Sequence, residues 1–337
     1  MCLYPLRIRN PGYESLVDCQ RRSPFSDSTG DVVPPDYEVD VPCGKCWQCL
    51  RQKRFETVLR LKVEQSVIPP GTRSYFVTLT FNQECYVKYA SDYGLCVRRW
   101  LDKLRKRYGR FRYWFISELG EDTHRLHFHG ILFGLPHIPY KDLCSTWTYG
   151  ISWYGYCTDR TCGYITKYMI KQQIDEGQVY KPIKIYSRSI GSGRDGSGID
   201  YLSKCVSFRD PQCPGDYPDC IALPGSPYTY AIPRYYFSKL FGEAASIYRR
   251  YVNYAKGLRY VFRGVRYLFR EQWYSAIKRF RERYSSFYRE RFARKLDLIP
   301  RLPRLTREVR YKYLMTHFNN NITDYGIEYN PASVSGG

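Results

Sequence analysis

Five histidines occur in 337 residues, and three of them, His124, His127 and His129, fall within six positions of one another. The stretch Arg125-Leu126-His127-Phe128-His129-Gly130-Ile131-Leu132-Phe133-Gly134 carries apolar residues suited to a buried strand ended by glycine. A strand repeats its facing every second residue, so His127 and His129 point to one side with Phe128 in the core behind them. Two imidazoles on one rigid face make half of a divalent-metal site, although an isolated His-x-His also lines polar clefts. A carboxylate is close at hand. Phe111 to Ser117 reads as a strand that delivers Glu118 at its end, and an antiparallel hairpin into the histidine strand would bring Glu118 near the pair. Glu121 and Asp122, in the turn itself, are less favoured. Further on, Tyr164, Tyr168 and Lys171 are spaced i, i+4, i+7 and would share a helix face bordered by Lys167. Such phenols are nucleophiles in one reading and packing groups of an amphipathic helix in the other.

Sulfur forms a second cluster. Cys43, Cys46 and Cys49 open a helical stretch that runs to about Val63, and a helix N-terminus favours anions such as thiolates. Zinc normally takes four ligands, and Cys2 or Cys19 could supply the last. The candidate structural zinc set is therefore Cys2, Cys43, Cys46 and Cys49; unligated buried thiols are the alternative, with an iron–sulfur cluster behind both. The 13 cysteines are odd in number, and the start MCLYPLRIRNPGY lacks the apolar core of an export signal. Reduced thiols are expected, not a disulfide framework.

The elements that must position these groups are legible in part. Residues 1–40 read as loop, with five prolines. Ser74 to Phe81 is β-branched and aromatic, a central strand. Cys96 to Tyr108 places apolar residues at 97, 100, 101 and 104, a helix whose basic outer face includes Arg98, Arg99 and Lys103. That face is either solvated or, with Lys171, a DNA contact. Ser187 to Ser197 reads as a basic flexible loop, and Pro211 to Pro227 as irregular. Between Arg234 and Lys312, 22 Lys and Arg stand against 6 Asp and Glu. Aromatic and apolar residues recur there near helical period from Tyr251 to Phe292, until Pro300 and Pro303, which predicts one or two long basic helices. Pro331 to Gly337 reads as a disordered end.

Net charge is +21, with 35 tyrosines. Positive charge attracts any polyanion, but charge interleaved with flat rings suits unpaired bases and their phosphates, so single-stranded nucleic acid is the leading partner. No run of about 18 apolar residues occurs, which argues against a membrane span and for a soluble intracellular protein.

Three pieces in one order, YFVTLTF at 75–81, Glu118-Leu119-Gly120-Glu121 with RLHFHGILFG, and GYITKYMIK, resemble the HUH endonuclease superfamily of rolling-circle replication initiators. The segments MCLYP, VPCGKCWQCL, YSRSIGSG and IPRYYFSKLFG are similar to initiators of microviruses, particularly the gokushovirus branch. Together they cover about the first 240 residues. The resemblance implies an α+β fold, a central antiparallel sheet of RRM or ferredoxin-like shape flanked by helices, with a basic helical C-terminal extension. Residues 1–70 would form a cysteine-containing segment and helix, 71–235 the nuclease core, and 236–337 the extension. It implies Mg2+ or Mn2+ on His127, His129 and Glu118, nucleophiles Tyr164 and Tyr168, and Lys167 between them. The implied reaction nicks single-stranded DNA at a viral replication origin in the bacterial host cytoplasm. It leaves a 5′-phosphotyrosine and a 3′-hydroxyl primer and later rejoins the strand, with host helicase and polymerase as partners. Leu126 stands where the commonest family wording has proline, which changes strand entry and not ligand chemistry. Competing readings are a transposase or relaxase of the same superfamily, a non-catalytic single-strand-binding protein, and a two-histidine, one-carboxylate iron oxygenase, for which paired tyrosines and +21 charge have no use.

Overall fold

Alternation along Arg73–Phe81 builds the middle of the main sheet: Tyr75, Val77, Leu79 and Phe81 are buried on one face, while Phe76, Thr78 and Thr80 line the other. The computed structural model describes residues 2–22, 37–44, 46–120, 125–169, 174–175, 178–179, 182–208, 217–226, 229–255, 260–263, 265–267 and 269–297. In chain order the elements are β1 (Leu6–Arg9), α1 (Tyr13–Arg22), β2 (Glu38–Val41), α2 (Trp47–Ser66), β3 (Arg73–Phe81), α3 (Gln83–Lys88), α4 (Tyr93–Tyr108), β4 (Arg112–Leu119), β5 (Leu126–Leu135), α5 (Tyr140–Ser145), β6 (Gly150–Tyr156) and α6 (Asp159–Ile165). A 3-10 turn (Thr166–Met169) follows, then β7 (Ile174–Asp175), β8 (Gln178–Val179), β9 (Lys184–Tyr186), α7 (Ser197–Ser203), β10 (Val206–Ser207), β11 (Cys220–Ala222), β12 (Thr229–Ala231), α8 (Arg234–Ala255), β13 (Val261–Phe262), β14 (Val265–Arg266) and α9 (Arg270–Asp297).

The chain divides into two units, residues 53–236 and residues 1–52 with 237–337. The first holds a five-stranded antiparallel sheet in the order β6-β3-β5-β4-β9, flanked by helices, as an α+β fold requires. Helix α4 covers one face with Val97, Trp100, Leu101 and Leu104, packed with Phe115, Phe128 and Leu132. Its start is fixed by Asp92, which accepts from the Leu95 amide at 3.1 Å. On β5, Gly130 does not interrupt the strand. The Phe115 ring occupies the space that a side chain would need, which lets a large aromatic lie flat across the middle of the sheet.

Half of the opposite face is covered by a smaller cluster in which Leu61 of α2, Cys162 and Ile165 of α6, Tyr168 and Ile190 pack on Trp114, Ile116, Ile131 and Phe133. Ile190 belongs to the Ser187–Ser197 stretch, which is not a free loop. The buried Glu64 carboxylate accepts from the Gly191 amide at 2.6 Å, Tyr236 donates to the Gly191 carbonyl at 2.8 Å, and Arg60 donates to the Ile190 carbonyl at 2.7 Å. Glycine content there marks close approach, since a Cβ on Gly191 (φ +88°) would collide with the Tyr236 hydroxyl. The expectation of an irregular segment from Pro211 to Pro227 is also corrected: β11 lies within it and pairs with β10 and β12.

In the other unit, residues 1–40 are not all loop. β1 pairs with β2 from Leu6↔Val41 to Arg9↔Glu38, α1 lies between them, and residues 23–36 lie outside the described residues. Asp40 at the end of β2 accepts two bonds from Arg270, at 3.0 and 3.1 Å, and one from Tyr274 at 2.8 Å. Burial pushes that carboxyl up, but these donors and the nearby charge of Arg7 outweigh it and hold Asp40 below the ordinary carboxylate range. The basic region contains two helices, yet its helical period misleads between them. Val261, Phe262 and Val265 form a small hairpin, β13–β14, turned at Arg263 with φ +52°, and α8 itself breaks at Gly242. Pro300, Pro303 and the stretch 331–337 lie outside the described residues.

Candidate active site

Register places the histidines. On β5, His127 pairs with Thr80 and Glu118, and His129 with Thr78 and Ile116, so both rings share the sheet face that carries Tyr168. Each imidazole is held from beneath: Thr80 Oγ1 is 2.8 Å from His127 Nδ1, and Thr78 Oγ1 is 3.1 Å from His129 Nδ1. A threonine hydroxyl that accepts from Nδ1–H selects the tautomer whose Nε2 lone pair is free. His129 Nε2 lies 3.1 Å from Glu118 Oε2, and Glu118 is buried. His127 Nε2 faces Gly120, where an added Cβ would stand 2.9 Å away. A side chain there would crowd that nitrogen, and glycine leaves it accessible. Burial, then the neighbouring His129, hold His127 below the usual histidine range, so the ring is neutral, as a metal ligand must be. Two neutral imidazoles with free Nε2 atoms and one carboxylate fit a divalent cation with open positions. Glu121, Asp122 and His124 lie outside the described residues.

The tyrosines come to the same place by a broken helix. α6 ends at Ile165 and the backbone tightens into the 3-10 turn, so the continuous helix expected from the spacing does not form. Arg54 on α2 braces the junction, donating to the Gly163 carbonyl at 3.3 Å and to Thr166 Oγ1 at 3.4 Å. Tyr168 is buried, with its ring stacked on His129 at 4.8 Å and 11°, and its hydroxyl donates to the Tyr164 hydroxyl at 2.9 Å. Tyr164 is 46% exposed and meets Phe76 edge-on at 6.0 Å. Lys167 Nζ sits 3.9 Å from the Tyr164 ring centre and 4.9 Å from that of Tyr168. Burial first, then the Tyr164 hydrogen bond and the Glu118 charge, hold the Tyr168 phenol well above its ordinary range. The two phenols are thus unequal: one outward and accepting a hydrogen bond, one inward and donating it.

The predicted DNA-contact residues are elsewhere. Arg98, Arg99 and Lys103 are on α4, which packs on the sheet face opposite the histidines, and Arg98 is paired with Asp92 at 2.5 Å. Lys171 lies outside the described residues. Sequence reasoning missed Thr78, Thr80 and Arg54. The threonines had a visible signal, polar residues alternating with Val77 and Leu79, but only strand register shows what stands opposite them.

Away from this site, the four sulfurs of Cys2, Cys43, Cys46 and Cys49 all lie within 4.8 Å of one another and could hold a metal. Cys2 takes the fourth position; the Cys19 side chain lies outside the described residues. Backbone amides point at the sulfurs: Leu3 to Cys46 at 3.4 Å, Tyr4 to Cys2 at 3.3 Å, Cys43 to Cys2 at 3.2 Å and Cys46 to Cys43 at 3.3 Å. Donors of this kind stabilise thiolates. The Cys2 hydrogen bond and the Leu3 and Cys49 amides bring the Cys46 thiol down to about 4 against the opposing effect of burial.

Residues 74–173 match a family model of replication-associated proteins, the ORF2 type. That span contains most of β3, both histidines, Glu118 and both tyrosines, and amounts to under a third of the chain. The match supports a rolling-circle replication initiator, with DNA at the origin as its partner, and is consistent with endonuclease activity in general. No curated protein and no solved structure matches the chain. Among the described residues, no helix is long and apolar enough to cross a membrane.

Proposed function

We propose that this protein is a metal-dependent nickase that initiates rolling-circle replication by transesterification through tyrosine. The observation that carries this reading is the contact of two hydrogen-bonded phenols with the strand-borne imidazole pair. A phosphodiester repels nucleophiles, so charge must be neutralised where the phosphorus is attacked. Mg2+ or Mn2+ held by His127, His129 and Glu118 supplies that neutralisation at a non-bridging oxygen. The chain supplies the rest. A tyrosine Oη forms a bond to phosphorus, the bond from phosphorus to O3′ breaks, and the departing oxygen takes a proton to become the 3′-hydroxyl primer. The Lys167 ammonium, against both rings, favours the phenolate over the phenol. The phosphotyrosine stores the bond for later rejoining, with the second tyrosine available for the next cut.

In this reading residues 71–235 are the nuclease core, 1–70 the cysteine-bearing segment and 236–337 a basic extension supplying salt-sensitive affinity. The origin belongs to a microvirus-like phage, the work is done in the bacterial host cytoplasm, and the free 3′ end serves host helicase and polymerase. The Cys2, Cys43, Cys46 and Cys49 set holds a structural Zn2+.

The direct test mixes the protein with a labelled single-stranded oligonucleotide and Mn2+. A protein–DNA adduct that survives denaturation, and is lost with chelator, is expected; binding without any adduct would leave only a single-strand-binding protein. The threonines have their own test. Thr80→Val keeps shape and β-branching but leaves His127 Nδ1 without its partner, so Mn2+ affinity by calorimetry should fall about 10- to 100-fold, with Thr80→Ser close to the parent. Equal affinity in Thr80→Val would remove the positioning role.

A further inference from the structure

The edge strand β6 turns two large apolar side chains to solvent on the histidine face: Ile151 is 76% exposed and Trp153 52%. Edge strands ordinarily guard themselves with charge or proline, so exposed rings there call for an occupant. Register fixes where they stand. Trp153 pairs with Thr78, which pairs with His129, and Ile151 pairs with Thr80, which pairs with His127. Each is therefore two strand spacings, roughly 10 Å, from a histidine on the same face.

The indole has been given room to lie low. It leans over Gly155, where a Cβ would come within 2.6 Å of Trp153 Cη2. It meets Phe76 edge-on at 5.9 Å, Phe76 lies parallel to His129 at 6.1 Å, and Phe76 meets Tyr164 at 6.0 Å. A row of rings thus runs from the exposed indole to the outward tyrosine. Cations border its far end: Arg160, one helical turn before Tyr164 on α6, is exposed, and Lys167 covers the Tyr164 ring. Flat apolar surface beside cationic groups is the combination that recognises an unpaired nucleic-acid strand, bases on the rings and phosphates on the charges. A base inside a duplex has both faces covered by its neighbours and cannot use such a surface.

We propose that Trp153, flanked by Ile151 and seated over Gly155, is a stacking subsite for an unpaired base close to the phosphate that is cut. Only the last words rest on the nickase reading; the subsite itself requires single-stranded DNA and nothing covalent. It selects for an unpaired strand at the point where the chemistry needs one.

The test uses the full chain, chelator to prevent cutting, and a short labelled oligonucleotide of mixed sequence, single-stranded or annealed to its complement, with binding read by fluorescence anisotropy at several salt concentrations. Trp153→Ala should weaken single-strand binding roughly 5- to 150-fold, and Trp153→Phe should retain most of it. Trp153→Leu fills the same space without a ring and should lose as Ala does, which separates stacking from packing. The slope of affinity against salt should stay unchanged, because stacking releases no phosphate counterions, and duplex binding should not move. Parent-like affinity in Trp153→Ala, an equal loss on duplex, or a shallower salt slope would overturn the subsite. Adduct formation with Mn2+ is scored separately on the parent protein. Adduct absent with the Trp153 effect present overturns the nickase reading alone, and the reverse pattern overturns the subsite alone.

Discussion

Tyr164→Phe should abolish the covalent protein–DNA adduct on a single-stranded oligonucleotide, by about three orders of magnitude or more, while leaving DNA and Mn2+ binding near the parent. Tyr168→Phe should still form adduct, more slowly. The difference follows from the hydrogen bond between the two phenols. Tyr168 donates and Tyr164 accepts at 2.9 Å, so negative charge on the Tyr164 oxygen is stabilised by its neighbour. Tyr164 is also the exposed member, whereas Tyr168 is buried beneath it on the His129 ring. The inner tyrosine, once the outer one is joined to DNA, is the group left for a second cut. Adduct measured on a denaturing gel for both single variants and the double variant decides the matter. Equal loss in the two single variants would remove the division of labour, and adduct in the double variant would remove tyrosine chemistry altogether.

Removing zinc should have the second large effect, confined at first to the cysteine-bearing unit. Purified protein should contain one Zn2+ per chain by elemental analysis. Cys46→Ser should lose it and expose the segment around β1 and β2 to protease, because metal held by four thiolates contributes about 10 kcal/mol or more to the fold that gathers them. The local core otherwise offers little: beside the thiols, Leu3 is the remaining buried side chain of that cluster, with Tyr4 and Phe280 partly covering it. A strong chelator should reproduce the loss, and added Zn2+ should restore protection where Mn2+ does not. Protein that is free of metal yet equally resistant to protease would mean that the four sulfurs are merely packed together.

The central strands were legible in the residues because a buried strand in such a sheet has few ways to be written. Alternation along β3 and β5 and the hairpin from β4 into β5 all lie within short stretches, and so Glu118 could be placed beside the histidine strand. Helix α4 was equally plain from its apolar spacing, but which face of the sheet it covers was not. That choice places Arg98, Arg99 and Lys103 opposite the histidines, and it depends on how crossovers wind and not on any residue in the helix. The Gly- and Ser-rich stretch from Ser187 to Ser197 read as loop because composition reports what a segment cannot bury by itself. Glu64, Arg60 and Tyr236, distant in sequence, supply its hydrogen bonds. In the basic region, a helical period continued through Val261 to Val265, where a turn at Arg263 makes a hairpin instead.

By itself the sequence determined the reactive inventory: two imidazoles on one strand face, a carboxylate at the facing strand, two phenols four residues apart and three thiols at a helix start. These follow from periodicity, which is local. Tertiary structure alone decided the partners across strands, Thr78 and Thr80 under the imidazoles and Cys2 as the fourth sulfur, along with the inequality of the tyrosines and the indole on the edge strand. Each of those depends on which distant segment packs alongside, and that is settled by burial of the whole core and not by neighbouring residues along the chain.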